Sequence, residues 1–342
     1  MNSGFKPSPF SLRTACRIAF AAAGFIGLAL CAAAADKTFQ NPLNPGPDPW
    51  MIYHEGNYIL TTTQGDAIRM WQAPILAGLK TAKPVTVWKD QNPSRSRGIW
   101  APEAHCFSNH WYIYYTATSS DKKDDNHRTH VIESDTASPL GPYHYKARLF
   151  NPANDHYAID GTVFQNFDGA LYFLWAARPG HVLYISRMAN PYTLQGDGVC
   201  LPADGFGCEE VREGPEVLRR NGKIFLVYSI CDTGKPDYKF GMLIADEHAD
   251  LLKPSSWKQH PSPVFVRSDV NGVYGPGHNG FFRSPDGTED WIIYHAKTTS
   301  AYTYSGRTTR AQRFTWNADG TPNFGIPLPL STFLNEPSSH PH

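Results

Sequence analysis

A chain of 342 residues has room for one large domain or two ordinary ones, so length leaves the architecture open. Its 17 Tyr, 19 Phe and 9 Trp, with 28 Gly and 28 Pro, favour strands and turns over long helices and point to an all-β protein. Lys and Arg total 31 and so do Asp and Glu, which leaves no charge excess to hold a phosphate backbone or an anionic lipid surface; neither a nucleic-acid partner nor a stable membrane partner is expected.

Residues 1–35 read as an export signal, with Lys6, Arg13 and Arg17 ahead of the apolar run IAFAAAGFIGLALCAAAA. Ala33, Ala34 and Ala35 offer small residues for cleavage, giving a mature chain from Asp36 and a secreted or periplasmic location. A retained membrane anchor is the competing reading, because the run is almost long enough to span a bilayer. Residues 36–342 are expected to form a single domain. In an oxidising compartment Cys106, Cys200, Cys208 and Cys231 could pair in three ways, and Cys200–Cys208, flanking LPADGFG, is the expected bridge. None of the four forms a CxxC pair, which argues against zinc.

Five segments then share one layout: DPWMIYHEGNYILTTT, WAPEAHCFSNHWYIYYTATS, IDGTVFQNFDGALYFLWAA, EGPEVLRRNGKIFLVYS and GHNGFFRSPDGTEDWIIYHA. Each is two strands around a turn, at EGN, SNH, DG, NG and DG, and a third strand-like piece usually follows. Five such units, about fifty to sixty residues apart, are the pattern that radial repetition of small sheets leaves in a sequence. A five-bladed β-propeller is the expected fold, with a β-sandwich or β-helix as the alternatives.

In a propeller the start of each blade's innermost strand converges on the central channel. Counting back nine from Gly169, Gly222, Gly287 and Asn109 reaches Asp160, Glu213, His278 and Trp100, and eight from Gly56 reaches Asp48. Three carboxylates, an imidazole and an indole at converging positions would fill an apolar channel badly, given the cost of burying unpaired charge, so they read as a site. The same count places Glu103 and Glu216 further along the strands, as polar shoulder residues. Glycosidic cleavage needs one protonated acid and one ionised carboxylate on opposite faces of the sugar, and a third carboxylate near the acid would raise its pKa.

The motifs NPLNPGPDPW, GIWAPE, AIDGTVF, EGPEVL, GPGHNGFF and RAQRFTWNADGTPNFG, in that order across residues 37–330, resemble glycoside hydrolase family 43, and most closely its α-L-arabinofuranosidase branch. The resemblance implies inverting hydrolysis of arabinose- or xylose-containing polysaccharides. It assigns the general base to Asp48, the general acid to Glu213, and the role of pKa modulator and orienting group to Asp160. It also suggests that His278 faces a calcium or similar cation in the channel, often through water. Trp100 would line the sugar pocket, Trp71 would contact substrate or pack between blades, and Arg310 would face the channel and could pair with Asp160. The family often has His where Glu216 stands. A β-xylosidase, an endo-arabinanase, a noncatalytic carbohydrate-binding propeller and retaining chemistry on the same fold remain alternatives.

Overall fold

The computed structural model describes residues 38–339 apart from 122 and 151–154, so the expected export signal lies outside the described residues. Twenty strands fall into five four-stranded antiparallel sheets. Blade 1 comprises Trp50–His54, Asn57–Thr61, Ile68–Ala73 and Val85–Trp88; blade 2 comprises Arg97–Phe107, His110–Thr118, Arg128–Ser134 and Tyr143–Arg148. Blade 3 comprises Ala158–Gln165, Leu171–Ala177, Val182–Asn190 and Thr193–Cys200. Blade 4 comprises Arg212–Arg220, Lys223–Ile230, Lys239–Asp246 and Lys258–Gln259, and blade 5 Tyr274–Arg283, Asp290–Lys297, Thr308–Trp316 and Pro322–Asn323. The first strands pack on one another in sequence and blade 5 packs back on blade 1, which closes a five-bladed β-propeller.

The second strands read as continuous apolar runs because both of their faces are buried. In IFLVYSI, Ile224, Leu226, Tyr228 and Ile230 face blade 3 while Phe225 and Val227 face blade 5, the two-residue alternation of a strand between two cores. Each interface between neighbouring blades has its own apolar cluster. The ends are tied across the ring: Thr38–Phe39 pairs with Leu334–Asn335, and the side chain of Asn41 makes two 2.9 Å hydrogen bonds with the backbone of Ala311 in blade 5.

The innermost strands of blades 2 to 5 carry the same irregularity, in which three residue steps oppose two on the second strand. This extra residue re-aims the strand where it reaches the channel. One residue at this place has positive φ in every blade, ahead of the first strand in blade 1 and within the bulge in the others: Asp48 at 55°, Ala101 at 43°, Asp160 at 54°, Gly214 at 52° and His278 at 50°. Pro49, Pro102 and Pro215 come next, as suits a place where the ladder needs no N–H.

The register corrects the turn count. The hairpins of blades 1, 2 and 4 have two-residue turns, whereas blades 3 and 5 leave longer gaps between Gln165 and Leu171 and between Arg283 and Asp290. Equivalent to Asp48, Asp160 and His278 are therefore Ala101 and Gly214; Trp100 and Glu213 each stand one residue earlier. The expected Cys200–Cys208 bridge is also corrected: Cys208 bonds Cys231, with Cα atoms 4.9 Å apart. Cys200 ends the outer strand of blade 3 as an exposed free thiol, whereas Cys208 lies in the loop that folds over the end of blade 4's second strand.

Candidate active site

The bulges of blades 2 to 5, and Asp48 just ahead of blade 1's first strand, bring their side chains to one end of the channel. There a cavity of about 1370 Å³ is lined by Asp48, Trp100, Asp160, Glu213 and His278, all five residues picked out from the hairpin turns. A bulge lets two successive residues serve one side, which is why Glu213 reaches the same space as Asp160 although they occupy non-equivalent positions.

A second pattern holds the bulges in place. Asp48 N–H donates to His295 Nδ1 at 3.2 Å, Ala101 N–H to Thr63 Oγ1 at 2.8 Å, Asp160 N–H to Thr116 Oγ1 at 3.2 Å and His278 N–H to Ser229 Oγ at 2.8 Å. Each acceptor belongs to the preceding blade, at or just beyond the end of its second strand. Blade 3 has Ala176 at this place, opposite Ile159, and alanine accepts nothing. The Gly214 N–H turns instead to Asp160 Oδ2 at 3.1 Å. A Cβ at Gly214 would stand 3.2 Å from His278 Nδ1, tighter than an ordinary contact.

Asp48 is buried, which opposes its ionisation, but Arg307 first and then His278 outweigh this and hold its pKa well below the usual carboxylate range. Arg307 Nη1 donates to Asp48 Oδ1 at 3.2 Å and to Thr233 Oγ1 at 3.3 Å. His295 is pushed down to about 4 by burial and is therefore neutral; its Nδ1 accepts from Asp48 and its Nε2 lies 3.2 Å from Thr233 Oγ1. His278 Nδ1 lies 3.6 Å from both Asp48 Oδ1 and Asp160 Oδ2, and burial lowers its pKa.

Asp160 and Glu213 titrate as a pair. Burial, the Glu213 charge and the Asp48 charge raise Asp160 well above its ordinary range. Burial also opposes ionisation of Glu213, but His181 and Tyr238 overcome it and bring this carboxyl below its usual value. Tyr238 Oη donates to Glu213 Oε1 at 2.8 Å, and His181 Nε2 lies 3.2 Å from Oε2. The Tyr238 hydroxyl favours the ionised form of Glu213, whereas the Gly214 N–H opposes the rise at Asp160 without cancelling it.

The remaining expected residues divide. Trp100 lines the cavity and stacks on His127, with centroids 3.9 Å apart. Trp71 does not line it: it is 8% exposed and packs in the core between blades 1 and 5. Arg310 is fully buried between strands of blade 5, where Nη2 donates to Ala296 O at 3.3 Å, and it does not pair with Asp160. Arg307, at the mouth just before the same strand begins, is the arginine that reaches a carboxylate. His181, Tyr238, Thr233 and His295 were not singled out in the sequence. Among the described residues no three His, Cys, Asp or Glu side chains converge as metal ligands. The donors around His278 do not make up the oxygen set that calcium prefers, and a cation here would depend on water.

A family description, Glycosyl hydrolases family 43, matches residues 39–322. The chain belongs to this family. Within family 43, it is 38% identical over 311 residues to an extracellular exo-α-(1→5)-L-arabinofuranosidase of Streptomyces avermitilis, covering 85% of this chain and 64% of that one. It is 35% identical over 274 residues to a protein of the same name from Streptomyces chartreusis, covering 76% of this chain and 82% of the relative. Among solved structures, α-L-arabinofuranosidase from Lactobacillus brevis matches with a TM-score of 0.81 and 36% identity, covering 86% of this chain and 98% of that one. This family 43 chain therefore spans less than two thirds of the Streptomyces avermitilis relative.

Proposed function

We propose that the chain is an inverting α-L-arabinofuranosidase that releases L-arabinofuranose from arabinan or arabinose-decorated plant cell-wall polysaccharide, acting outside the cytoplasm. The observation that carries this reading is the convergence of Asp48, held by Arg307, with the carboxyls of Asp160 and Glu213 in a single cavity. The relatives named as extracellular arabinofuranosidases support both the substrate and the location.

Asp48 acts as general base. Its charge, fixed by Arg307 and His278, takes a proton from water attacking the anomeric carbon. Glu213 acts as general acid toward the leaving oxygen. To do so it must carry the proton of the Asp160–Glu213 pair, and the negative charge then moves to Asp160, where the Gly214 N–H and nearby His278 receive it. Trp100 offers an apolar wall to the sugar.

The test is hydrolysis of p-nitrophenyl α-L-arabinofuranoside, p-nitrophenyl β-D-xyloside and debranched arabinan by the purified protein, with the first product anomer followed by NMR. Arabinofuranose released with inverted configuration is expected. Early product with the substrate's configuration refutes the assignment of Asp48 as base, and preference for the xyloside refutes the substrate.

A further inference from the structure

The second strand of blade 5, Asp290–Lys297, ends in a lysine that is completely buried. Its Nζ meets backbone carbonyls: it donates to Gly234 O at 2.5 Å, to Thr303 O at 3.2 Å and to Lys235 O at 3.3 Å. Three acceptors call for three donors, and of the two states of the amine only the ammonium has three. Burial and the Arg307 charge oppose that state and lower the pKa of Lys297. An apolar residue here would avoid that cost but would leave the three carbonyls without this donor.

The carbonyls belong to two loops. Gly234 and Lys235 lie between the second and third strands of blade 4, and Thr303 lies between the second and third strands of blade 5. The Thr303 N–H adds a 2.9 Å bond to Gly234 O, and the Gly275 N–H ties the blade 4 loop again through Pro236 O at 2.7 Å. Packing around the clamp is close: a Cβ on Gly275 would stand 2.9 Å from Lys235 O and 3.3 Å from Lys297 Cε. Two of the held residues adjoin partners of Arg307, since Thr233 precedes Gly234 and Tyr304 follows Thr303. Arg307 Nε donates to Tyr304 O at 3.0 Å and Nη1 to Thr233 Oγ1 at 3.3 Å, while the same Nη1 donates to Asp48 Oδ1 at 3.2 Å.

We propose that Lys297 is a positioning residue for the reaction: its ammonium fixes the two loops that aim Arg307 at Asp48, and so holds the base in place for the attacking water. Lys297 contacts Asp48 only through this chain of partners. A guanidinium on a long stem has many orientations open to it at the rim of a cavity, and fixing Thr233 Oγ1 and Tyr304 O leaves the one in which Nη1 meets the carboxylate. Placement of this kind matters to the chemical step, since a shift of about 1 Å in a reacting group can cost about 10²-fold. The inference rests on the reading of Asp48 as the general base of an arabinofuranosidase.

The test is a double-mutant cycle of Lys297→Met and Arg307→Met on p-nitrophenyl α-L-arabinofuranoside, with Tm measured for each protein. Methionine keeps an unbranched apolar stem and removes the donors. Lys297→Met is expected to lower kcat about 10–100-fold and to change KM at most about 3-fold. In an Arg307→Met protein the same change is expected to cost at most about 3-fold in kcat, because the lysine acts through the arginine. Losses that multiply in the double variant, or an unchanged kcat in Lys297→Met, overturn the role. Where Lys297→Met does not fold, Lys297→Gln, which keeps two N–H donors, replaces it in the same cycle, with a loss of about 3–10-fold expected and the same coupling to Arg307 required. If wild type cleaves only p-nitrophenyl β-D-xyloside, the arabinofuranosidase reading falls, and the cycle read on the xyloside upholds or overturns the clamp by the same coupling. Cleavage of neither glycoside overturns both.

Discussion

At the scale of single residues, the three carboxylates differ in what holds them, and their variants should differ accordingly. Glu213→Ala is expected to lose about 10²–10⁴-fold on arabino-oligosaccharides, whose alkoxide needs a proton, and far less on an aryl arabinoside with an acidic phenol. Asp48→Ala should lose both substrates equally, because no leaving group compensates for unactivated water. A pH profile tests the shared proton. Tyr238→Phe removes a donor that favours the ionised form of Glu213, so its pKa rises and the alkaline limb of kcat/KM moves to higher pH. Asp160→Asn removes the neighbouring charge, so Glu213 loses its proton more easily and the alkaline limb moves to lower pH. Limbs that shift the opposite way would show that another group donates the proton. Asp48, Asp160 and Glu213 were legible because acids at converging strand starts have no structural use. Tyr238 and His181 were not, since their role depends on which loop folds over Glu213.

At the scale of the element, the repeated unit is the bulged inner strand together with its acceptor on the preceding blade. The sequence displays the first part openly: Gly and Pro surround each bulge, and the hairpin turns give its approximate position. It hides the turn lengths, so a fixed count mixed two adjacent positions, and only the shared cavity brings Glu213 and Asp160 together. The acceptor row of Thr63, Thr116, Ser229 and His295, with Ala176 the exception, becomes visible only once the strands are paired. That exception frees one N–H for Asp160. Ala176→Ser should restore the missing acceptor and draw the Gly214 N–H away from the carboxylate. With one net hydrogen bond at stake, worth about 1 kcal/mol, kcat is expected to fall roughly 3–10-fold with little change in Tm. Undiminished kcat in a variant whose structure shows the diverted bond would mean that Asp160 does not need this donor. Arg310 and Trp71 were misread for a related reason: on a strand buried on both faces, sequence does not say which residues meet the channel and which the next blade.

At the scale of the whole molecule, the channel beyond the cavity holds a second acidic pair with a structural consequence. Glu103 of blade 2 and Glu216 of blade 4 are joined to blade 3 through Thr162, whose hydroxyl donates to Glu216 Oε2 at 3.3 Å. His105 Nε2 lies 3.0 Å from Glu103 Oε2 and is itself kept neutral by burial, which lowers its pKa to about 4. Burial raises both carboxyls from 4.5 to about 8, and Glu103 adds to the rise at Glu216. Between these limits the folded protein binds more protons than the unfolded chain. Its stability therefore falls as pH rises, by up to about 1.4 kcal/mol per pH unit for each group. The propeller closes through contacts between blades, and an ionised pair in its axis repels across two of them. Glu216→Gln and Glu103→Gln should each flatten the decline of Tm between about pH 5 and about pH 8, since a neutral amide keeps the hydrogen bonding and relieves the remaining acid of its neighbour's charge. The double variant should flatten it further. Glu216→Gln should meanwhile change little in the leaving-group dependence that marks Glu213. A steeper fall of Tm in the Gln variants would mean that the pair is ionised and stabilising in the folded state, with a cation or a donor in the channel holding it.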